Sequence, residues 1–404
     1  MDHFPIIQAL CRAALSQPSL ATRKQIERLR DALAQTGDTK SAGILAGMLT
    51  NAERTTEISP SRIVQSRAQP LGEILTPNTQ LPVDRESSAP LAQLIFPSET
   101  RLSAPLFNAT VTQAVGAVLE EWNNLEPLAD VGVQAAKTCL IYGAPGTGKT
   151  RLALWMATQL GLPILLARID GLVSSFLGTT ARNIANLFAF ANRYRCVLLL
   201  DEFDAFAKLR DDPQEVGEIK RVVNALLQNL DGRRDVGLTI GITNHPQLLD
   251  SAVWRRFEVQ LEIPKPDFNM RVEIARHFVP PVVAPETHLR MIAWFTDGAT
   301  GAEIETLVRT YKRAMVVQNG EERLLLDTLR QFATLNSGRI DAARKELIFS
   351  SNGVLFRTMK DDEQLGFSLE DIGRIAGKDK STIARNIKTV DKESDDSETV
   401  SSHG

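Results

Sequence analysis

The run Gly143-Ala-Pro-Gly-Thr-Gly-Lys-Thr150 constrains this chain more than any other feature. It fits G-x-x-x-x-G-K-[ST], a loop whose backbone cradles phosphate. Thr138 to Tyr142, just before it, is a short apolar run of the kind that forms a buried parallel strand. Arg151 to Leu160, just after it, has helical spacing and good helix formers. The loop therefore joins a strand to a helix N-terminus, where free N–H groups and the helix dipole favour an anion. Gly143, Gly146 and Gly148 let the backbone bend around a phosphate without Cβ clashes. The expected cradle is Gly143, Ala144, Pro145, Gly146, Thr147, Gly148, Lys149, Thr150 and Arg151. Lys149 would reach the β- and γ-phosphates, and the Thr150 hydroxyl would ligate Mg²⁺.

A second constellation sits about fifty residues on. Cys196-Val-Leu-Leu-Leu-Asp-Glu-Phe-Asp204 is an apolar strand ending in carboxylates, placed where ligands of open α/β sheets gather. Asp201 would hold Mg²⁺, mostly through water, and Glu202 would orient and polarise an attacking water. Leu238 to Asn244 is a further apolar strand with a polar tip. Together these features imply a nucleoside triphosphate, magnesium and hydrolysis, in an α/β fold whose parallel sheet is flanked by helices.

Asn244, then Leu249-Asp-Ser-Ala-Val-Trp-Arg-Arg-Phe-Glu258, then Thr300-Gly-Ala-Glu-Ile304 follow in an order that resembles AAA ATPases. The resemblance covers roughly residues 100 to 335 and is to the katanin, spastin and proteasomal-ATPase side of that group. It implies an α/β P-loop AAA module followed by a small α-helical lid. It places Asn244 beside the γ-phosphate and Gly301 and Ala302 of the lid against the nucleotide. It makes Arg255 and Arg256 fingers on the nucleotide of the neighbouring subunit, where a guanidinium neutralises the charge of phosphoryl transfer. Ala144 stands where these loops commonly have Pro, and no segment that would pack on adenine is readable. The stretch from Asp201 to Asn224 looks like bacterial AAA ATPases often paired with a subtilisin-like protease.

The same resemblance assigns Phe176-Leu177-Gly178 to a channel loop that grips extended polypeptide. Asp211 to Glu218 is polar and acidic, and reads as a solvated charge run or a second channel loop. Fingers supplied in trans require a ring or filament, and a head-to-tail interface that closes gives a ring, so a homo-hexamer stabilised by ATP is expected.

The flanks divide further. Residues 1–55 suggest short helices, with Ile26, Leu29 and Leu33 and then Ile44, Leu45, Met48 and Leu49 at helical spacing around Gly37-Asp38. They could dock a partner or simply pack. Residues 56–100 carry prolines at 60, 70, 77, 82 and 90 with many Ser and Thr, which reads as a linker. The large α/β subdomain is expected over 101–266 and the helical lid over 267–345. Residues 346–390 hold Leu369 to Lys388, which resembles a helix-turn-helix. Ile372, Ile375 and Ala376 line one face, Gly377 makes the turn, and Ile383 and Ile387 point inward. Lys380, Ser381, Thr382, Arg385 and Lys388 point outward, as on a helix entering a DNA major groove. DNA contact through residues 366–390 and a protein-docking or inert hairpin stay as alternatives. Residues 391–404 are acidic and Ser-rich and read as a disordered tail.

The formal charge of −3 gives no global field for polyanions. The three cysteines, at 11, 139 and 196, lack C-x-x-C spacing, which suits a reducing compartment. No apolar run is long enough to span a bilayer and no signal core opens the chain, so a cytoplasmic protein with no membrane partner is expected. Two functions compete. One is a remodeller of protein substrates that could serve a partner protease. The other is a DNA-associated ATPase switch, such as a transposition helper or defence sensor. Intact Lys149, Asp201, Glu202, Asn244 and Arg255 argue against a scaffold without turnover.

Overall fold

The computed structural model describes residues 7, 20–57, 72–99, 102–168, 172, 177–205, 216–317 and 325–401. The chain forms two units, Met1–Gln69 and Pro70–Gly404. In the first, helices α1 (Leu20–Gln35) and α2 (Thr39–Glu57) pack on each other through Ile26, Leu33, Ala42, Leu45 and Leu49. Gly37, at φ 84°, makes the turn between them in a conformation that side chains avoid. Asp38 starts the second helix by accepting hydrogen bonds from the N–H and hydroxyl of Ser41.

In the second unit, six strands among the described residues make one sheet. They are β1 (Ala92–Ile95), β2 (Thr138–Tyr142), β3 (Ile164–Ala167), β4 (Val197–Leu200), β5 (Thr239–Thr243) and β6 (Val259–Glu262), in the order β1-β3-β4-β5-β2-β6. All pairs are parallel except β1 with β3. Side chains alternate between two buried faces. Leu140, Leu165, Leu198 and Leu200 meet helices α6 (Leu177–Arg193) and α7 (Val216–Asp231) on one side. Cys139, Ile141, Val197, Leu199, Ile240 and Ile242 meet α3 (Ala109–Asn123), continued by the short α4 (Leu125–Asp130), and α5 (Lys149–Gln159) on the other. Burial on both faces is why these strands read as near-continuous apolar runs.

The expected linker over 56–100 needs correcting: from Gly72 onward the chain is part of the α/β unit. Glu73 N–H donates to Arg193 O at 2.9 Å, and Arg195 N–H donates back to Glu73 O at 2.9 Å. Buried Leu91 leads into β1, which adds antiparallel to β3. Of the prolines in the described part of this stretch, Pro77 lies in a turn and Pro90 stands just before the edge strand β1, positions a sheet tolerates.

After the short α8 (Ser251–Trp254) and β6 come, among the described residues, the α-helices α9 (Phe268–Phe278), α10 (Glu286–Phe295), α11 (Gly301–Val317), α12 (Leu325–Leu335), α13 (Ala342–Phe349), α14 (Asn352–Asp361), α15 (Leu369–Ala376) and α16 (Lys380–Ser401). The lid was expected to end at 345, yet one apolar core runs from Val272 to Ile387. Fully buried Trp294 and Phe295 of α10 share it with Ile348, Leu355 and Phe356. The Trp294 indole N–H donates to Asp362 at 2.7 Å, and Arg344 lies over its ring at 4.1 Å. The C-terminal helices are thus part of the same core as the lid helices. The tail expected to be disordered from Asp391 is helical to Ser401, because no Gly or Pro stops α16.

Candidate functional site: a phosphate cleft between sheet and lid

The loop Gly143–Thr150 joins β2 to α5. β2 lies between its parallel neighbours β5 and β6, so its loop leaves the carboxyl edge of the sheet flanked by a strand on each side. Gly148, at φ 95°, caps α5. Gly143 has φ 145°, and a Cβ there would lie 2.3 Å from Ile263 O. The close approach at Gly143 excludes any side chain, and the positive φ at Gly148 favours glycine. The loop is also tied to the lid: Ala302 N–H donates to Gly146 O at 3.1 Å. Thr300 holds that corner through Glu303, whose carboxylate accepts from the Thr300 N–H at 2.7 Å and from its hydroxyl at 2.9 Å. Gly301 and Ala302 are thus on the cleft wall.

Lys149 is buried, and its ammonium donates to Gly143 O at 2.9 Å and Ala144 O at 2.7 Å. Desolvation lowers its pKa, opposed by Asp201 and Asp204. Thr150 and Asp201 meet, hydroxyl to carboxylate, at 2.9 Å. That pair offers two hard oxygens on one spot, which fits Mg²⁺, an ion that takes few protein ligands and completes its shell with phosphate and water. Among the described residues no group of three or more acidic, His or Cys side chains competes as a metal site.

Glu202 follows in a left-handed conformation, φ 52°, rare for a side-chain-bearing residue. The bend is held on both sides. Glu202 N–H donates to Asp201 at 2.9 Å, and Phe203 N–H donates to Ile242 O at 2.7 Å while its ring is buried against Phe257. Strain of this kind costs about 1–3 kcal/mol and persists where the surroundings fix it. Here it turns the carboxylate into the cleft, where Asp201, Glu202 and Asn244 line one wall. Asp204, which the sequence reading left without a role, is buried and accepts from the Thr243 hydroxyl at 3.0 Å; that oxygen in turn accepts from His245 N–H at 3.0 Å. It thereby braces the backbone on either side of Asn244. The spaced carboxylate of Asp-Glu-Phe-Asp was the available signal.

The cleft, of about 410 Å³, has an apolar end that sequence reading missed. Ala104, Pro105, Leu106 and Phe107 form one side, and Ile274, His277 and Phe278 of α9 the other. Arg151 also lines the cleft and donates to the Ser103 hydroxyl at 2.7 Å, fixing the 104–107 segment to α5.

Two groups of expected site residues are not brought here. Arg255 and Arg256 lie outside this cleft, after α8. Arg255 is exposed, whereas Arg256 is held by Asp231 at 3.2 Å and Ala252 O at 3.1 Å. Phe176 lies outside the described residues, as does most of the acidic run Asp211–Glu218; Leu177 and Gly178 open α6.

Comparison with known proteins bears on this geometry. The profile of the ATPase family associated with various cellular activities (AAA) matches residues 139–265. An uncharacterized AAA family ATPase, y4kL of Sinorhizobium fredii, is 32% identical over 319 residues, 78% of this chain and 92% of that protein. The proteasome-activating nucleotidase of Methanocaldococcus jannaschii is 37% identical over 186 residues, 44% of this chain and 43% of the relative. The ATP-dependent zinc metalloprotease FtsH of Aquifex aeolicus is 30% identical, with 55% of this chain and 36% of the relative aligned. This chain therefore spans less than half the length of the last two. In fold, a crystal structure of the FIGL-1 AAA domain superposes with TM-score 0.50 at 22% identity, covering 63% of this chain and 89% of that one.

Proposed function

This chain belongs to the AAA family of ATPases and hydrolyses ATP, and on that premise we propose that it works as a ring, a homo-hexamer that remodels protein substrates with each site shared by two protomers. The observation that carries this is the placement of Arg255. The cations of the cleft, Lys149 and Arg151, are both bonded within their own chain, while Arg255 is exposed away from it. A guanidinium free to enter a neighbour's cleft is the missing neutralising group.

In this reading Lys149 leaves the Gly143 and Ala144 carbonyls for the β- and γ-phosphates. Thr150 and Asp201 would hold Mg²⁺, which would supply positive charge against the phosphates. Glu202 polarises the attacking water, and Asn244 positions it. Arg256, anchored on Asp231, keeps the turn that carries Arg255 in place. Phe176 would grip the substrate chain, and a partner protease would receive it. Two relatives are named for proteasome activation and for proteolysis, which supports this direction. No described helix is long and apolar enough to cross a membrane. Buried, unpaired Cys139 and Cys196 suit a reducing compartment such as the cytoplasm.

Mixing tests the shared site. Protomers carrying Glu202→Gln should bind ATP and turn over at least about a hundredfold more slowly. Protomers carrying Arg255→Ala should be equally inactive alone. Equimolar mixing of the two should restore part of the ATPase rate, because some interfaces then combine an intact cleft with an intact finger. No rescue, together with an unassembled protein by light scattering, would sink the ring.

A second reading keeps the same ATPase but tethers it to DNA. One observation favours it: residues 366–390 fold as two helices joined by a three-residue turn, Gly377–Asp379.

A further inference from the structure

The outer face of this C-terminal helical pair is built differently from the rest of the chain. α15 begins with a capping box: the Ser368 hydroxyl accepts from Asp371 N–H, and the Asp371 carboxylate accepts from Ser368 N–H at 3.0 Å. It ends on Gly377 at φ 62°. A Cβ at Gly373 would lie 2.6 Å from Lys378 O, and one at Gly353 would lie 2.7 Å from Asn386 O. These two glycines let the turn fold onto α15 and let α14 cross α16 in direct contact. Leu355, Phe356, Met359, Ile372, Ile375, Ile383 and Ile387 fill the space between the three helices. α16 is therefore held rigidly from the inside, and its first turns are left facing solvent.

That face carries Lys380, Ser381, Arg385, Lys388 and Thr389, all exposed, with Thr382 half-buried among them. Arg374 and Lys378 extend it across the turn. Residues 366–390 hold five basic side chains against three acidic, a net of +2, in a chain whose total is −3. The acids are largely committed: Asp371 to the cap, and Glu370 to Lys380 at 3.2 Å. Asp379 alone faces outward without such a role. Among the described residues Arg374, Arg385 and Lys388 make no ion pair. No large apolar side chain stands on the face, so the anchors that dominate protein–protein docking are missing.

We propose that this face docks on duplex DNA, with the first two turns of α16 in the major groove and Arg374, Lys378, Arg385 and Lys388 on flanking phosphates or base edges. The inference deepens the second reading above and rests on it. A single copy per chain would cover one half-site, so a multimer would bind through several equivalent contacts.

Fluorescence anisotropy of the full-length protein with a labelled duplex of about two helical turns tests this. Binding should weaken steeply with salt. The pair Arg385→Ala and Lys388→Ala should cost about tenfold or more in affinity and make the salt slope shallower by about two. Its ATPase rate and melting temperature should not change. The charge-conserving pair Arg385→Lys and Lys388→Arg should keep most of the affinity. No salt-dependent binding of the unaltered protein, equal binding by the alanine pair, or a preference for single strands would overturn the proposal. The mixing experiment on Glu202 and Arg255 reads a different property, so either inference can fail alone.

Discussion

The phosphate end of the cleft comes from one unbroken run, Gly143 to Arg151, closed by Asp201, Glu202 and Asn244 from neighbouring strands. Its apolar end comes from two segments far apart in sequence, Ala104–Phe107 and Ile274–Phe278. The first recognises charge with backbone dipoles, so its requirements fall on glycines and on the register of a sheet. The second can recognise a flat ring only by shape, which any set of apolar side chains at the right distance supplies. One end tolerates almost no substitution, and the other should tolerate volume-conserving exchange.

The sharpest way to break this contrast is at Gly143. With φ 145° and Ile263 O 2.3 Å from an added Cβ, Gly143→Ala should lower ATP affinity by more than about a hundredfold. Isothermal titration against ATP reads this, and near-normal affinity would show that the loop can shift. The apolar end should respond less and differently. Phe278→Ala should weaken ATP binding about tenfold and leave inhibition by inorganic tripolyphosphate unchanged. Equal losses for both ligands would mean that Phe278 supports the fold of the phosphate loop and not the base. The smallest effect is expected where the two ends are joined. Thr300→Val removes one hydroxyl bond to Glu303, at 2.9 Å, and should cost about 1 kcal/mol, a fall of about 2–4 °C in Tm. A larger fall accompanied by lost ATPase would make the Thr300 corner part of the chemistry.

The contrast also explains what could be read in the sequence. Phosphate recognition is written contiguously because a loop, its strand and its helix are adjacent, and Asp201 and Asn244 announce themselves at the ends of apolar runs. The C-terminal helical pair was legible for the same reason: Gly377 and the inward Ile372, Ile375, Ile383 and Ile387 form a local pattern, while the Ser368–Asp371 cap went unread. Leu106 and Phe278 carry no such mark, since their role exists only after α9 swings over the sheet. The strap from Gly72 to Ile95 was hidden behind its prolines, although Leu91-Ala-Gln-Leu-Ile95 is a serviceable edge strand. The continuity of lid and C-terminus was hidden because helical periodicity shows that Trp294 and Leu355 are buried without saying that they are buried together. The split between Arg255 and Arg256 depended on Asp231, at the far end of another helix.

The antiparallel strand β1 has one more consequence. A parallel sheet that stopped at β3 would present a row of unpaired amides and carbonyls beside apolar residues, a template on which identical chains can stack into fibrils. β1 occupies that row, and Pro90 and Pro97, just beyond its ends, cannot donate to another strand. At the opposite border, exposed Gln260 and Glu262 make β6 a poor template. The sheet is thus terminated on both sides. In the ring proposed above, where many copies of the chain would lie close together, an open edge would be a seed for aggregation.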